Sequence, residues 1–129
     1  LMATKNKIHI EYFLKASPEM LYQYISTPSG LSEWFSDKAS AKGNNFIFQW
    51  IGSGEECAKM IARRQDSLVR FRWEADAGSS CYFEMSISQD ELTGDVLFSI
   101  TDFAHRGEED SAVQMWDAAI QNLKKLIGA

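Results

Sequence analysis

The spacing of apolar residues divides the chain into segments of different period. Between residues 7 and 15 apolar and polar positions alternate, with Ile8, Ile10, Tyr12 and Leu14 on one face and His9, Glu11 and Phe13 on the other. This predicts a first strand with one buried side. At Ala16-Ser17-Pro18-Glu19 the period changes. Ser17 suits an N-cap, Pro18 the first helical position and Glu19 the positive end of the helix dipole, so a helix carrying Met20, Leu21, Tyr24 and Ile25 is expected. Thr27-Pro28-Ser29-Gly30 breaks it, and Pro28 or Ser29 can start a second short helix with Leu31, Trp34 and Phe35.

From there to about residue 102 the chain reads as strands. Residues 36–42 form a weak edge strand, turned by Gly43-Asn44-Asn45 into residues 46–51, where Phe46, Phe48 and Trp50 share one face. Gly52-Ser53-Gly54 turns into residues 55–64, and Gln65-Asp66-Ser67 into residues 68–74, where Val69, Phe71 and Trp73 alternate with Arg70 and Arg72. A loop over residues 75–80 leads to a strand at 81–88 with Cys81, Phe83, Met85 and Ile87 on one side. The last strand, 95–101, has Val96, Phe98 and Ile100 inward. Strands joined by turns this short form an antiparallel meander, because parallel neighbours would need crossover helices between them.

The final segment has the helical period. Val113, Trp116, Ile120, Leu123 and Ile127 recur at spacings of three and four, and Ala112, Met115, Ala119 and Leu126 widen the stripe. Glu108, Glu109 and Asp110 crowd its start and Lys124 and Lys125 its end. Asp110 or Ser111 can cap it, and Gly128 suits the position past the end. Such a helix runs about 25 Å, long enough to cross a small domain. The fold class expected is therefore α+β: a curved antiparallel sheet of about seven strands, two short helices, and a long C-terminal helix packed across the sheet. Residues 1–129 read as a single domain.

Composition removes several classes of function. A net charge of −5 and a pI near 5.0 oppose a nucleic-acid surface, which needs clustered Lys and Arg. Arg63, Arg64, Arg70 and Arg72 are the only dense basic group; they fall on neighbouring strands, where cross-strand salt bridges with nearby carboxylates such as Glu55, Glu56 and Glu74 are the expected use. No apolar run approaches the roughly 20 residues that span a bilayer, and a cytoplasmic location is expected. Leu1 ahead of Met2 reads as a residue added by cloning, with natural numbering expected to begin at Met2. Cys57 and Cys81 are expected to be buried free thiols. His9 and His105 belong to no two-ligand spacing, so neither a metal nor a cofactor is expected.

The inward positions carry many large rings, which either fill a core or line a cavity. The candidate lining positions are Phe48, Trp50, Phe71, Trp73, Phe83, Met85 and Phe98 from the strands, Trp34 and Phe35 from the connector, and Met115, Trp116 and Ala119 from the long helix. Titratable groups with a claim to the interior or its rim are Tyr12, Cys57, Cys81, Asp102 and His105. Asp102 and His105 could act as a base and its orienter, or be solvated loop residues. Glu74 and Glu84 fall on the outward register. Gly52-Ser53-Gly54 lacks the following helix and the Lys of a phosphate loop, and is read as a hairpin turn.

The order of elements, with Ile8-His9-Ile10-Glu11-Tyr12, residues 16–22, Thr27-Pro28-Ser29-Gly30-Leu31, Trp34-Phe35, Met115-Trp116 and residues 122–126, resembles the START-like superfamily, also called helix-grip or SRPBCC. Within it the chain is similar to the branch of the C-terminal domain of the heat-shock chaperone ATPase activator. The resemblance implies an apolar cavity between sheet and terminal helix that takes lipids, sterols, polyketides or similar molecules. It places Trp34 and Phe35 near the mouth and Met115, Trp116 and Ala119 on the helical wall. It carries over no catalytic constellation. The branch commonly has Gly before the helix Trp, and Met115 here is expected to occupy volume where a ligand would enter. The reading is a noncatalytic binding module for a small hydrophobic ligand; the alternative is a co-chaperone-like regulator of a chaperone ATPase, with a cyclase or hydrolase third. A monomer or a homodimer paired through the edge strand at 36–42 fits either.

Overall fold

In the computed structural model, which describes residues 4–128, the pattern becomes seven strands and three helices; Leu1 and Met2 lie outside the described residues. The strands are β1 (Lys5–Leu14), β2 (Lys38–Lys42), β3 (Asn45–Trp50), β4 (Gly54–Arg64), β5 (Leu68–Trp73), β6 (Phe83–Gln89) and β7 (Val96–His105). The helices are α1 (Pro18–Ser26), α2 (Pro28–Trp34) and α3 (Glu109–Ile127). All strands pair antiparallel in one curved sheet of order β1-β7-β6-β5-β4-β3-β2, so the first strand lies beside the last and β2 stands at the opposite edge. β4 carries an irregularity between Met60 and Ala62, of the kind that bends a strand.

Side-chain alternation sets the inner face. Ile10 pairs with Ile100, Ile100 with Met85 and Met85 with Val69, which lays a continuous apolar row across four strands. The helices close this face. Leu21, Ile25, Leu31, Ile120 and Leu123 are fully buried against it.

Local chemistry explains the helix ends. Ser17 Oγ accepts the Met20 N–H at 3.1 Å, and Pro18 occupies the first turn. The break between α1 and α2 is narrower than the sequence suggests. Only Thr27 separates them, and Gly30 lies inside α2 rather than ending a helix. The Thr27 hydroxyl donates to the Gln23 carbonyl at 2.7 Å and accepts the Gly30 N–H at 3.0 Å, serving both helices. Gly30 is there for space, since a Cβ would come within 2.2 Å of the Gln23 carbonyl oxygen.

The end of the chain also departs from expectation. β7 continues to His105, four residues past the expected end, so Asp102 and His105 are strand residues and not loop residues; Asp102 is half-buried and His105 is exposed. Gly107, at φ 90°, then makes the turn and α3 begins at Glu109, upstream of the expected caps Asp110 and Ser111. Glu109 compensates for the missing side-chain cap: its carboxylate accepts the Gly107 N–H at 2.6 Å and the Asn6 side-chain amide at 2.9 Å. The Asn6 bond is the main reason its pKa is lowered. Gly128 closes α3 in the left-handed conformation at φ 73°.

The apolar stripe of α3 is narrower than expected. Trp116, Ile120 and Leu123 are buried, whereas Met115 is 74% exposed and Leu126 43%. Cys57 and Cys81 are half-buried free thiols, not buried ones; Cys57 is on the outward register of β4, and Cys81 precedes β6. On the outer face Arg70 pairs with Glu84 across β5 and β6 at 2.8 Å, while stacking over the Tyr82 ring. Its partner is thus not Glu55, Glu56 or Glu74. No described helix is long and apolar enough to cross a membrane.

Candidate functional site

A groove of about 590 Å³ opens where the N-terminal half of α3, the end of α2 and the β3–β4 turn meet. Seven of the sequence-predicted positions line it: Trp34, Phe35, Trp50, Trp73, Met115, Trp116 and Ala119. The other five do not. Phe48, Phe71, Phe83, Met85 and Phe98 are 0–1% exposed and pack in the core, outside the groove's lining. Met115 was expected, from its place before the helix Trp, to occupy volume where a ligand would enter; it sits instead on the rim, largely exposed, and leaves the interior unfilled.

The ring that fills this end of the interior is Phe35, in the connector between α2 and β2. Its centroid lies 5.0 Å from Phe48, 5.6 Å from Phe83, 5.7 Å from Trp116 and 5.8 Å from both Trp34 and Trp50. These are ordinary separations for stacked and edge-on aromatic pairs. Phe71 and Phe83 stack at 5.1 Å beneath it, and Trp73 leans on Phe83 at 4.9 Å. The groove is therefore the unfilled upper part of an aromatic core.

All four tryptophans of the chain line this groove. Three have their indole N–H committed elsewhere. Trp34 donates to the Tyr24 carbonyl at 2.9 Å, Trp50 to the Phe35 carbonyl at 3.0 Å, and Trp116 to Asp102 Oδ2 at 2.9 Å. Those three rings thus offer the groove π faces and edges, not donors.

Asp102 is the polar group deepest in the arrangement. Strand alternation places it on the inner face with Phe98 and Ile100. Besides the Trp116 bond it accepts the Phe103 N–H at 2.7 Å. Burial raises its pKa above the ordinary carboxylate value, and these two hydrogen bonds only partly oppose that rise. His105 is three positions further along the same strand, on the opposite face, and lines a neighbouring depression with Lys5, Cys57, Glu74 and Asp76 that shares Glu56 and Trp73 with the groove. The structure does not bring Asp102 and His105 together as a base and its orienter.

Tyr12 does not reach the groove lining. Its hydroxyl donates to Asp117 Oδ1 at 2.6 Å and staples β1 to α3. Burial, then the Asp117 hydrogen bond and charge, raise its pKa. The Cys57 thiol is also raised, first by desolvation and then by Glu74 and Glu55, which is the reverse of an activated nucleophile. Among the described residues no three His, Cys, Asp or Glu side chains are grouped to hold a metal ion.

Sequence reading missed Ser53, Glu56, Ala118 and Asn122. Glu56 was legible. It shares the parity of Ala58 and Met60 on β4 and stands opposite Phe48, so it faces the groove despite its charge.

A family model for the START-like superfamily domain matches residues 2–129. The chain belongs to the START-like superfamily. A match in sequence and shape is the Bacteroides fragilis protein BfR322, solved by NMR, 37% identical, with 97% of this chain and 92% of that one aligned at a TM-score of 0.68. The Aha1 dimer from Colwellia psychrerythraea is 18% identical over 95% of this chain and 96% of that one, at a TM-score of 0.79. DynU16, a protein of the dynemicin biosynthetic locus, is 12% identical over 95% of this chain and 47% of that one, at 0.77. At these identities the last two show the shared START-like fold alone. No curated protein matches the chain.

Proposed function

We propose that the protein is a noncatalytic binding module that takes one small, mainly apolar molecule into the groove between α3 and the sheet. One observation carries this reading. The four tryptophans converge on one concavity of about 590 Å³, with Trp50 and Trp73 only half-buried. Rings of this size are costly to leave partly wet, and concave aromatic walls with a few polar groups are the usual form of a small-molecule site. No pair of groups in the groove is arranged as nucleophile and base, which favours binding over turnover.

Because every tryptophan lies at the groove, intrinsic fluorescence reports on that site. The test is a titration with N-phenyl-1-naphthylamine, a neutral apolar probe, followed by tryptophan quenching. Saturable one-to-one binding that weakens in Trp73→Ala supports the reading. A linear, non-saturating response removes it.

A second reading is a protein-interaction module acting on a chaperone ATPase or on a second copy of the chain. It rests on the likeness to the Aha1 dimer and on the exposed Met115 and Ile51. An ATPase assay with added protein, together with sedimentation of the protein alone, tests it. Unchanged turnover and a monomer at all concentrations would discard it.

A further inference from the structure

The groove has an unusual charge. Its lining includes two carboxylates, Glu56 and Asp102, and no Lys, Arg or His. Lys5, the cation whose charge reaches Asp102, is held in an ion pair with Asp76 at 2.9 Å. Of the indole N–H groups, those of Trp34, Trp50 and Trp116 are already used within the protein. The groove thus presents π faces and anionic acceptors, with the Trp73 indole N–H, the Asn122 side chain and the Ser53 hydroxyl as its neutral polar groups. A carboxylate, sulfate or phosphate headgroup would meet two like charges and no cationic donor. An ammonium group meets the opposite: carboxylates to neutralise it and tryptophan faces that attract cations, tryptophan being the strongest of the aromatic rings in this respect.

Resting on the binding reading above, we propose that the ligand is a hydrophobic organic cation, an alkylated or aryl amine, with its ammonium between Glu56, Asp102 and the tryptophan faces and its apolar part along Met115 and Ala119. The state of Asp102 fits this occupant. Its two hydrogen bonds come from Trp116 and from its own neighbour Phe103, and neither brings a full positive charge. A bound cation supplies that charge and draws the raised carboxyl back toward ionisation.

The test compares three ten-carbon probes below their micelle concentrations: decyltrimethylammonium, 1-decanol and decanoate. Binding is followed by tryptophan fluorescence and by the indole N–H resonances. The expected order is ammonium, then alcohol, then carboxylate, with about tenfold between the first and the last. Glu56→Gln, at an exposed position, narrows the gap between ammonium and alcohol about threefold, chiefly through weaker ammonium binding. Asp102→Asn narrows it further in protein whose indole spectrum remains dispersed. Raising the salt concentration also shrinks the gap, because Glu56 is open to solvent. Decanol bound as tightly as the ammonium would overturn the cation proposal and leave the hydrophobic site intact. Tighter decanoate binding would do the same. If none of the three saturates, or if the ammonium shifts resonances away from the tryptophans, both the proposal and the binding reading fall in the first case, and the proposal alone in the second.

Discussion

The two halves of α3 meet the sheet in different ways. In its C-terminal half α3 contributes aliphatic, sealed side chains: Ile120 and Leu123 are at 0% exposure, in one core with the equally buried Leu21, Ile25 and Leu31. Around its N-terminal half the partners are rings, and Phe35, Trp50 and Trp73 stay partly open to solvent. Branched aliphatic side chains interdigitate and close a space from several sides, whereas flat rigid rings meet at fixed angles and leave room between them. One end of the molecule is thereby devoted to stability, and the other keeps a concave, chemically distinct surface.

The sharpest test of this contrast is Trp116, the residue through which α3 joins the aromatic end. Trp116→Ala removes its packing on Phe35 and Phe83 and leaves Asp102 Oδ2 without a donor, and should cost about 3 to 5 kcal/mol in denaturant unfolding. A loss near zero would mean that the aromatic end does not hold the helix. Leu123→Ala probes the sealed end and should cost about 3 kcal/mol while leaving probe affinity in the groove unchanged. Affinity lost in parallel with stability would show the two ends to be one cooperative unit.

A smaller effect is expected from Asp102→Asn, on the order of 1 kcal/mol, and it should appear in the pH profile. The folded state raises the pKa of this carboxyl, so the wild-type protein binds the proton more tightly when folded than when unfolded. Its contribution is full below the unfolded value and is lost as pH rises through the folded one, so stability should decline across the upper carboxylate range. The Asn variant should be flatter there, by chemical denaturation at a series of pH values; an identical slope would mean that Asp102 is not the titrating group. Smallest of all is Trp73→Ala, at a half-exposed ring, which should cost about 1 kcal/mol or less yet weaken probe binding. A cost like that of Trp116 would place Trp73 in the sealed core.

Most of the fold was legible because alternation and the three-four spacing report burial directly. Val69, Phe71, Met85 and Phe98 are at 0% exposure, as their register implies, and Ser17 caps α1 through the hydroxyl that nominated it. The site was less legible, for two reasons. Periodicity tells which face a ring occupies but not how deeply its neighbours cover it, so Phe48, Phe71 and Phe83 could not be told from Trp50 and Trp73 as core or wall. Glu56 was assigned to salt bridging on the wet face by its type, although it obeys the inward parity of Ala58 and Met60; Asp102 was given a claim to the interior or its rim, but with the strand ended at residue 101 its inward parity with Phe98 and Ile100 was not counted. Met115 failed differently, since the edge of an apolar stripe on a helix is set by what lies opposite, which the helix's own sequence does not contain.

Thr27 and Gly30 lock α1 and α2 into a rigid elbow, the hydroxyl bridging both segments and the missing methyl letting their backbones nest. Such an elbow cannot hinge without losing both bonds. Breathing at the entrance therefore falls to the first turns of α3 and to the Ile51–Ser53 bend, so on the proposed binding reading the exchange of a bound molecule should be timed by those two segments and not by the connector.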